Sequence, residues 1–326
     1  MTDVTQDASA RQWTRSVFTV AVLFSAFQIY TAAFHPFSSQ VLRAVHVGFL
    51  LVMVYLAVPS AGQSLWARLW GWLLALAAVL TAGYQWLFEA ELIQRSGDLT
   101  DGDMLVGLVL AGLVFEAARR LMGLALPLIC ALFIAYALLG HALPGGLAHR
   151  GYDLDQLINQ LAFGTEGFYG TPTYVSATYI FLFILFGAFL EQAGMIRLFT
   201  DFAMGLFGHK VGGPAKVSVV SSALMGTITG SGVANVVTTG QFTIPLMKRF
   251  GYGAGFAGGV EATASMGSQL MSPVMGAVAF IMAETLNVPF HEVAKAALLP
   301  AMLYFASVFW MVHLEARRAG LSGLPK

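Results

Sequence analysis

Apolar residues run in blocks of about 18 to 25 positions from one end of the chain to the other, and polar residues gather in the short intervals between them. Blocks of that length suit helices that cross a bilayer core of about 30 Å. They predict helices over 16–34, 41–58, 67–88, 103–118, 122–143, 173–193 and 291–313, each bounded by charge, Pro or Gly. The expected fold is therefore all-α, a polytopic helical membrane protein. Tyr152 to Phe168 is only moderately apolar and carries Asp, Gln and Asn, which predicts an amphipathic helix along the membrane interface. At the amino end, Arg11 and Arg15 precede the apolar run Val17 to Phe34. That run exceeds the roughly 7 to 15 residues of a secretory h-region and is followed by further spans, so a retained first helix is expected.

Composition removes the soluble alternative. The 326 residues are 57% hydrophobic and 10% charged, with 35 glycines and a mean hydropathy of +0.73, against roughly 25% charged in a soluble domain. Lys plus Arg and Asp plus Glu both number 17, so no basic field draws nucleic acid. The single cysteine, Cys130, excludes an intramolecular disulfide and a cysteine-rich metal site.

Charge placement instead reports topology. Arg11, Arg15, Arg68, Arg119, Arg120, His209, Lys210 and Lys216 mark cytoplasmic ends, with the amino terminus inside. The acidic intervals around Glu89 to Asp103 and Asp153 to Glu166 are external, Arg150 being a mild exception. Between Lys216 and Lys248-Arg249 the rule fails for a single crossing, because cations stand at both ends of an almost uncharged stretch of about 30 residues. A re-entrant hairpin open to the cytoplasm resolves the conflict, with two half-length helices meeting where Gly226, Gly230 and Gly232 interrupt the apolar pattern. Irregular backbone at membrane depth must be buried in protein or face a wet cavity, so the tip is expected inside. Ala254 to Leu286 repeats the theme with the interruption Gly267-Ser268-Gln269-Leu270-Met271-Ser272-Pro273. Pro273 lacks an N–H and crowds the preceding turn. Since Asn287 to Glu292 is cation-poor until Lys295 and the last span ends at Arg317-Arg318, this segment must cross as a discontinuous transmembrane helix.

The two breaks carry the candidate chemistry. Ser231, Gly232 and Asn235 at the first, and Gly267, Ser268, Ser272 and Pro273 at the second, bring hydroxyls and backbone carbonyls together, which suits a hard cation such as Na+. Thr238, Thr239 and Gln269 are candidates for the substrate pathway. The competing reading is that these small residues only allow close helix packing. Glu261, an acid in an apolar, glycine-rich stretch about two turns beyond Arg249, is either interfacial or proton-linked. His46 reads as a helix-contact residue, and Trp66, Trp70, Trp72 and Trp86 as an aromatic belt. Enzyme motifs fail: His291-Glu292-Val293-Ala294-Lys295 puts Lys where the second zinc ligand of H-E-x-x-H belongs, and neither G-x-S-x-G nor a phosphate-cradling glycine loop occurs. No organic cofactor is expected.

The stretches GGPAKVSVVSSALMGTITGSGVANVVTTGQFTIPLMKRFGY and GSQLMSPVMGAVAFIMAE, with YVSATYIFLFILFGAFLEQAG and VLRAVHVGFLLV before them, resemble fused permeases of the tripartite ATP-independent periplasmic (TRAP) transporters, TAXI branch. Residues 1–118 resemble the four-helix small subunit, and 119–326 the first repeat of the large one. The resemblance implies an inner-membrane permease for uptake of an organic acid such as a dicarboxylate. Its partners would be a periplasmic TAXI-type substrate-binding protein and co-transported Na+ or H+, and its motion elevator-like. It also implies a cation site at the hairpin tip and helix break named above. A permease of this kind continues through a second inverted repeat, which is expected in cis in a longer gene product or in trans from a partner. A non-transporting assembly or scaffold subunit is the alternative function.

Overall fold

The computed structural model describes residues 15–58 and 65–323; Arg11 lies outside the described residues. Among them all regular structure is helical, and six helices are long and apolar enough to cross a membrane: Arg15–Phe34, Ser39–Ala57, Trp66–Leu87, Ala125–Ala142, Thr171–Gln192 and Phe290–Arg318. The chain forms two compact units, Met1–Ala177 and Thr178–Lys326.

The first unit contains α1 (Arg15–Phe34), α2 (Ser39–Ala57), α3 (Leu65–Leu87), α4 (Glu89–Gln94), α5 (Asp101–Met122), α6 (Ala125–Leu139), α7 (Leu154–Ile158) and α8 (Thr171–Val175). Ser38 caps α2 by accepting from the Val41 N–H at 3.2 Å. Thr100 and Asp103 form a reciprocal capping box at α5. Asp103 is fully buried there, yet its carboxylate accepts from Tyr84 at 2.7 Å and faces Arg95 at 3.3 Å. Small residues let α2 and α3 lie close: a Cβ on Gly48 would stand 2.7 Å from that of Ala82. Around this pair Ala44, Leu51, Tyr55, Ala78, Leu110 and Leu113 form the core.

The unit runs well past residue 118 because side chains of α2 and α3 hold the later segment. Gln40 donates to the Phe163 carbonyl at 3.2 Å, Gln85 to that of Ala162 at 2.9 Å, and His46 meets Ser176 at 3.0 Å. Within the stretch 152–168, expected as one amphipathic helix, the helical part is the short α7 followed by a π-helical turn, Asn159–Phe163. Its Ile158 and Ala162 are buried in the core beside Gly107 of α5, so tertiary packing decides the conformation of this stretch.

The second unit contains α9 (Phe181–Gln192), α10 (Met195–Phe207), α11 (Gly213–Thr229), α12 (Gly232–Arg249), α13 (Ala254–Met266), α14 (Ala277–Leu286) and α15 (Phe290–Arg318). A π-helical turn, Ser176–Ile180, makes α8 and α9 one continuous helical segment. Ala215, Val219, Met247, Ala257, Val260, Ala264, Phe305 and Val312 form the core that binds α11, α12, α13 and α15 together. α10 was not expected from the apolar pattern. It has only 13 residues and carries Arg197 and Asp201.

Candidate functional site

The hairpin turns at one place only. α11 continues through Gly226 to Thr229, and Gly230 then takes φ +58, a left-handed conformation that a side chain resists. Ser231 caps α12, its hydroxyl accepting from the Ala234 N–H at 3.3 Å. The arms are not half-length: 17 and 18 residues give each about 26 Å, close to the thickness of a bilayer core. They run antiparallel in register, with Ser218 and Thr243 on one shared acceptor and Ser222 beside Thr239 at 3.3 Å, four residues back on one arm for four forward on the other. Gly226 instead permits a close approach, since its Cβ would stand 2.8 Å from the Ser268 Cα.

Opposite the tip, α13 ends in a 3₁₀ turn, Gly267–Leu270, before α14 resumes at Ala277. Ser272 and Pro273 are joined by a cis peptide, and the Ser272 hydroxyl donates to the Ala294 carbonyl of α15 at 2.8 Å. The Gly276 N–H returns to the Gln269 carbonyl at 3.0 Å, closing the loop. Tip and break interlock here. A Cβ on Gly230 would fall 1.8 Å from the Met275 carbonyl oxygen, and one on Gly232 2.6 Å from the Met266 sulfur. The Asn235 Nδ2 donates to the Ser222 carbonyl at 2.9 Å and to the Ser268 hydroxyl at 2.6 Å, directly linking hairpin and break.

The structure thus brings Gly232, Asn235, Gly267 and Ser268 together, all buried, with Ser231 exposed at the rim. Ser272 and Pro273 lie on the α15 side of the break. Thr238 turns back to the Ala234 carbonyl at 3.0 Å. Gln269 is exposed and lines an apolar cavity of about 570 Å³ with Met275, Val278, Met282 and Glu292.

Glu261 is wholly enclosed by protein, at 0% exposure. Ser218 and Thr243 donate to its Oε2, and Ser222, Thr239 and Ser265 to its Oε1; the Ser218 bond is 2.7 Å and the Ser265 bond 3.0 Å. Two donors come from each hairpin arm and one from α13 itself, so one carboxylate joins three helices. Ser218, Ser222, Thr243 and Ser265 were missed in the sequence. Their signal was the spacing of four in Ser218/Ser222, Thr239/Thr243 and Glu261/Ser265, which puts each pair on one helix face.

A hairpin whose tip meets a broken helix, in a chain with six helices long and apolar enough to cross a membrane, is an arrangement that recurs in membrane transporters. Residues 109–326, more than half of the chain, match the family described as "Tripartite ATP-independent periplasmic transporter, DctM component", and the chain belongs to that family. It is 29% identical over 144 residues to the C4-dicarboxylate TRAP transporter large permease protein DctM of Pseudomonas aeruginosa, covering 44% of this chain and 33% of that one. It is 24% identical over 170 residues to the 2,3-diketo-L-gulonate TRAP transporter large permease protein YiaN of Escherichia coli, covering 52% and 38%. With the sialic acid TRAP transporter large permease protein SiaM of Vibrio cholerae it shares 27% over 144 residues, 44% of this chain and 33% of that one. The chain therefore spans well under half the length of these relatives.

Proposed function

We propose that the chain belongs to the inner-membrane permease of a TAXI-type uptake system, in which a periplasmic substrate-binding protein delivers a small organic acid anion. In this reading residues 1–118 serve as the small-subunit part and 119–326 as the first repeat of an elevator-type transport part. A second inverted repeat, in cis or in trans, completes the path. The observation that carries it is the bond from Asn235 to Ser268, which joins hairpin tip and helix break. Ser231, Gly232, Asn235, Gly267, Ser268, Ser272 and Pro273 would hold the coupling cation, Na+. Thr238, Thr239 and Gln269 would line the substrate path, and Glu261 would carry the proton if the coupling ion were H+. The organic acids in the relatives' names, a C4-dicarboxylate, diketogulonate and sialic acid, support an anionic substrate. A cation moving inward gains about 2.3 kcal/mol per 100 mV, enough for roughly fifty-fold accumulation.

The test is uptake of labelled C4-dicarboxylate, diketogulonate and sialic acid into proteoliposomes holding the complete permease, with its binding protein outside. Accumulation driven by an inward Na+ gradient is expected, and it should require the binding protein. Accumulation driven only by a pH gradient would move the coupling to H+, and no accumulation of any of the three under either gradient would overturn the proposal.

A further inference from the structure

We infer that the polar cavity between the end of α6 and the start of α7 holds the headgroup of a phosphatidylethanolamine molecule, with the phosphate on Arg150 and the ammonium on Asp153.

The cavity is built by the loop that returns over the end of α6. A helix leaves its last carbonyls without partners, and here the loop supplies them. The Tyr152 N–H donates to the Ala137 carbonyl at 3.0 Å, and the His149 Nε2 to the Tyr136 carbonyl at 3.1 Å. The His149 main-chain N–H donates to the Gly140 carbonyl at 3.1 Å, and its Nδ1 accepts from the Gly151 N–H at 3.1 Å. Gly140 leaves room for the ring, since a Cβ there would fall 1.9 Å from the His149 Nε2. The chain is thus fixed on both sides of Arg150. The space enclosed is about 310 Å³ and is lined by His141, Arg150, Tyr152, Asp153 and Gln156, a volume suited to a small polar group.

Charge and depth identify that group. Arg150 is the cation out of place in an acidic interval, and it shares the cavity with Asp153. Yet neither enters an ion pair among the described residues, and the Arg150 guanidinium lies over the Tyr152 ring at 5.7 Å instead. A cation and an acid kept apart in one cavity complement a ligand that carries both charges. The guanidinium fork fits a phosphate, and His141 and Gln156 add N–H donors beside it. Asp153 suits a primary ammonium, which brings three hydrogens. The apolar segment Ala125–Ala142 is 18 residues long, and α6 has no buried residue. His141, in the last turn of that segment, therefore stands where hydrocarbon gives way to headgroups. Leu139 and Leu154, next to the lining residues in sequence, are exposed. They suit the glycerol and upper acyl chain of a lipid, which a zwitterion dissolved in water lacks.

The experiment uses the complete permease, stripped of lipid in detergent, and native mass spectrometry to read the lipid concentration that half-saturates the first bound lipid. Phosphatidylethanolamine, phosphatidylcholine and phosphatidylglycerol with identical acyl chains are compared. The ethanolamine lipid is expected to bind roughly tenfold tighter than the other two, because choline has no N–H to donate and glycerol no charge. Asp153→Asn should weaken the ethanolamine lipid roughly tenfold and leave the glycerol lipid unchanged, whereas Arg150→Ala should weaken both alike. Without lipid both variants should melt as the unsubstituted protein does, since neither side chain has an ion pair to lose. Equal binding of the ethanolamine and glycerol lipids overturns the inference, as does an Asp153→Asn variant that binds the ethanolamine lipid unchanged. Displacement of the lipid by an equal concentration of free alanine would make the site one for dissolved zwitterions and would also overturn it.

Discussion

Asn235 and Ser231 sit one turn apart at the tip, yet their loss should differ in kind. Asn235→Ala removes two buried hydrogen bonds, a second one on the Ser222 carbonyl and the one that ties the Ser268 hydroxyl to the hairpin, at about 1–3 kcal/mol. Ser231→Ala removes only an exposed N-cap, at about 1 kcal/mol. Thermal melting of the complete permease should therefore rank Asn235→Ala below Ser231→Ala, while Na+ titration of uptake should show a raised requirement in both. Unchanged Na+ dependence in both would remove them from the ligand set. At this scale the sequence was only partly legible. Asn235 and Ser268 stand out as candidates because each lies near glycines that break an apolar run, and the structure brings the two into contact. The hydroxyls around Glu261 were not, because they come from three helices, with Ser218 and Glu261 43 residues apart along the chain. A serine on an apolar helix gives no sign of which acceptor it will meet.

The elements themselves were more legible, and the reason is the length of the apolar blocks. The long helices appear within a few residues of their expected limits, because charge, Pro and Gly mark their ends. The hairpin followed from a conflict between charge and crossing number, although the arms prove longer than expected because Gly226 is accommodated inside a helix. What pattern could not reveal was α10, the two π-helical turns and the packed conformation of 154–163, all of which depend on tertiary neighbours. The glycines of the second unit accordingly divide by function. Gly230→Ala meets the Met275 carbonyl oxygen at 1.8 Å, and its φ of +58 adds about 1–2 kcal/mol of strain. Because backbone cannot step aside, the tip must separate from the break, and uptake should be lost. Gly259→Ala in α13 meets nothing within 4 Å, so it should be neutral or stabilise by about 0.5–1 kcal/mol. Equal melting temperatures for the two variants would show that the tip does not interlock with the break.

For the chain as a whole, the remaining question is which ends of the second unit share a side of the membrane. A Cβ on Gly212 would stand 2.6 Å from the Ala316 Cβ and 2.9 Å from the Tyr252 hydroxyl, so the start of α11, the turn after α12 and the end of α15 meet at one end of the unit. That end carries Lys210, Lys248, Arg249, Arg317 and Arg318, the cations that the positive-inside rule assigns to the cytoplasm. The α14–α15 connection lies at Asn287 to Pro289, where Phe280 stacks on Phe290 at 4.1 Å, and it carries no cation. Single cysteines can test this arrangement, because Cys130 is the one cysteine of these 326 residues, and replacing it together with any cysteine elsewhere in the complete permease gives a blank background. In intact spheroplasts, His291→Cys should react with a membrane-impermeant maleimide, while Lys210→Cys, Arg249→Cys and Arg318→Cys should react only once the membrane is opened. Labelling of positions 210 and 249 from opposite sides would mean that α11 and α12 together make an odd number of crossings. The antiparallel register through Ser222 and Thr239 would then be wrong, and with it the placement of Asn235 against the break.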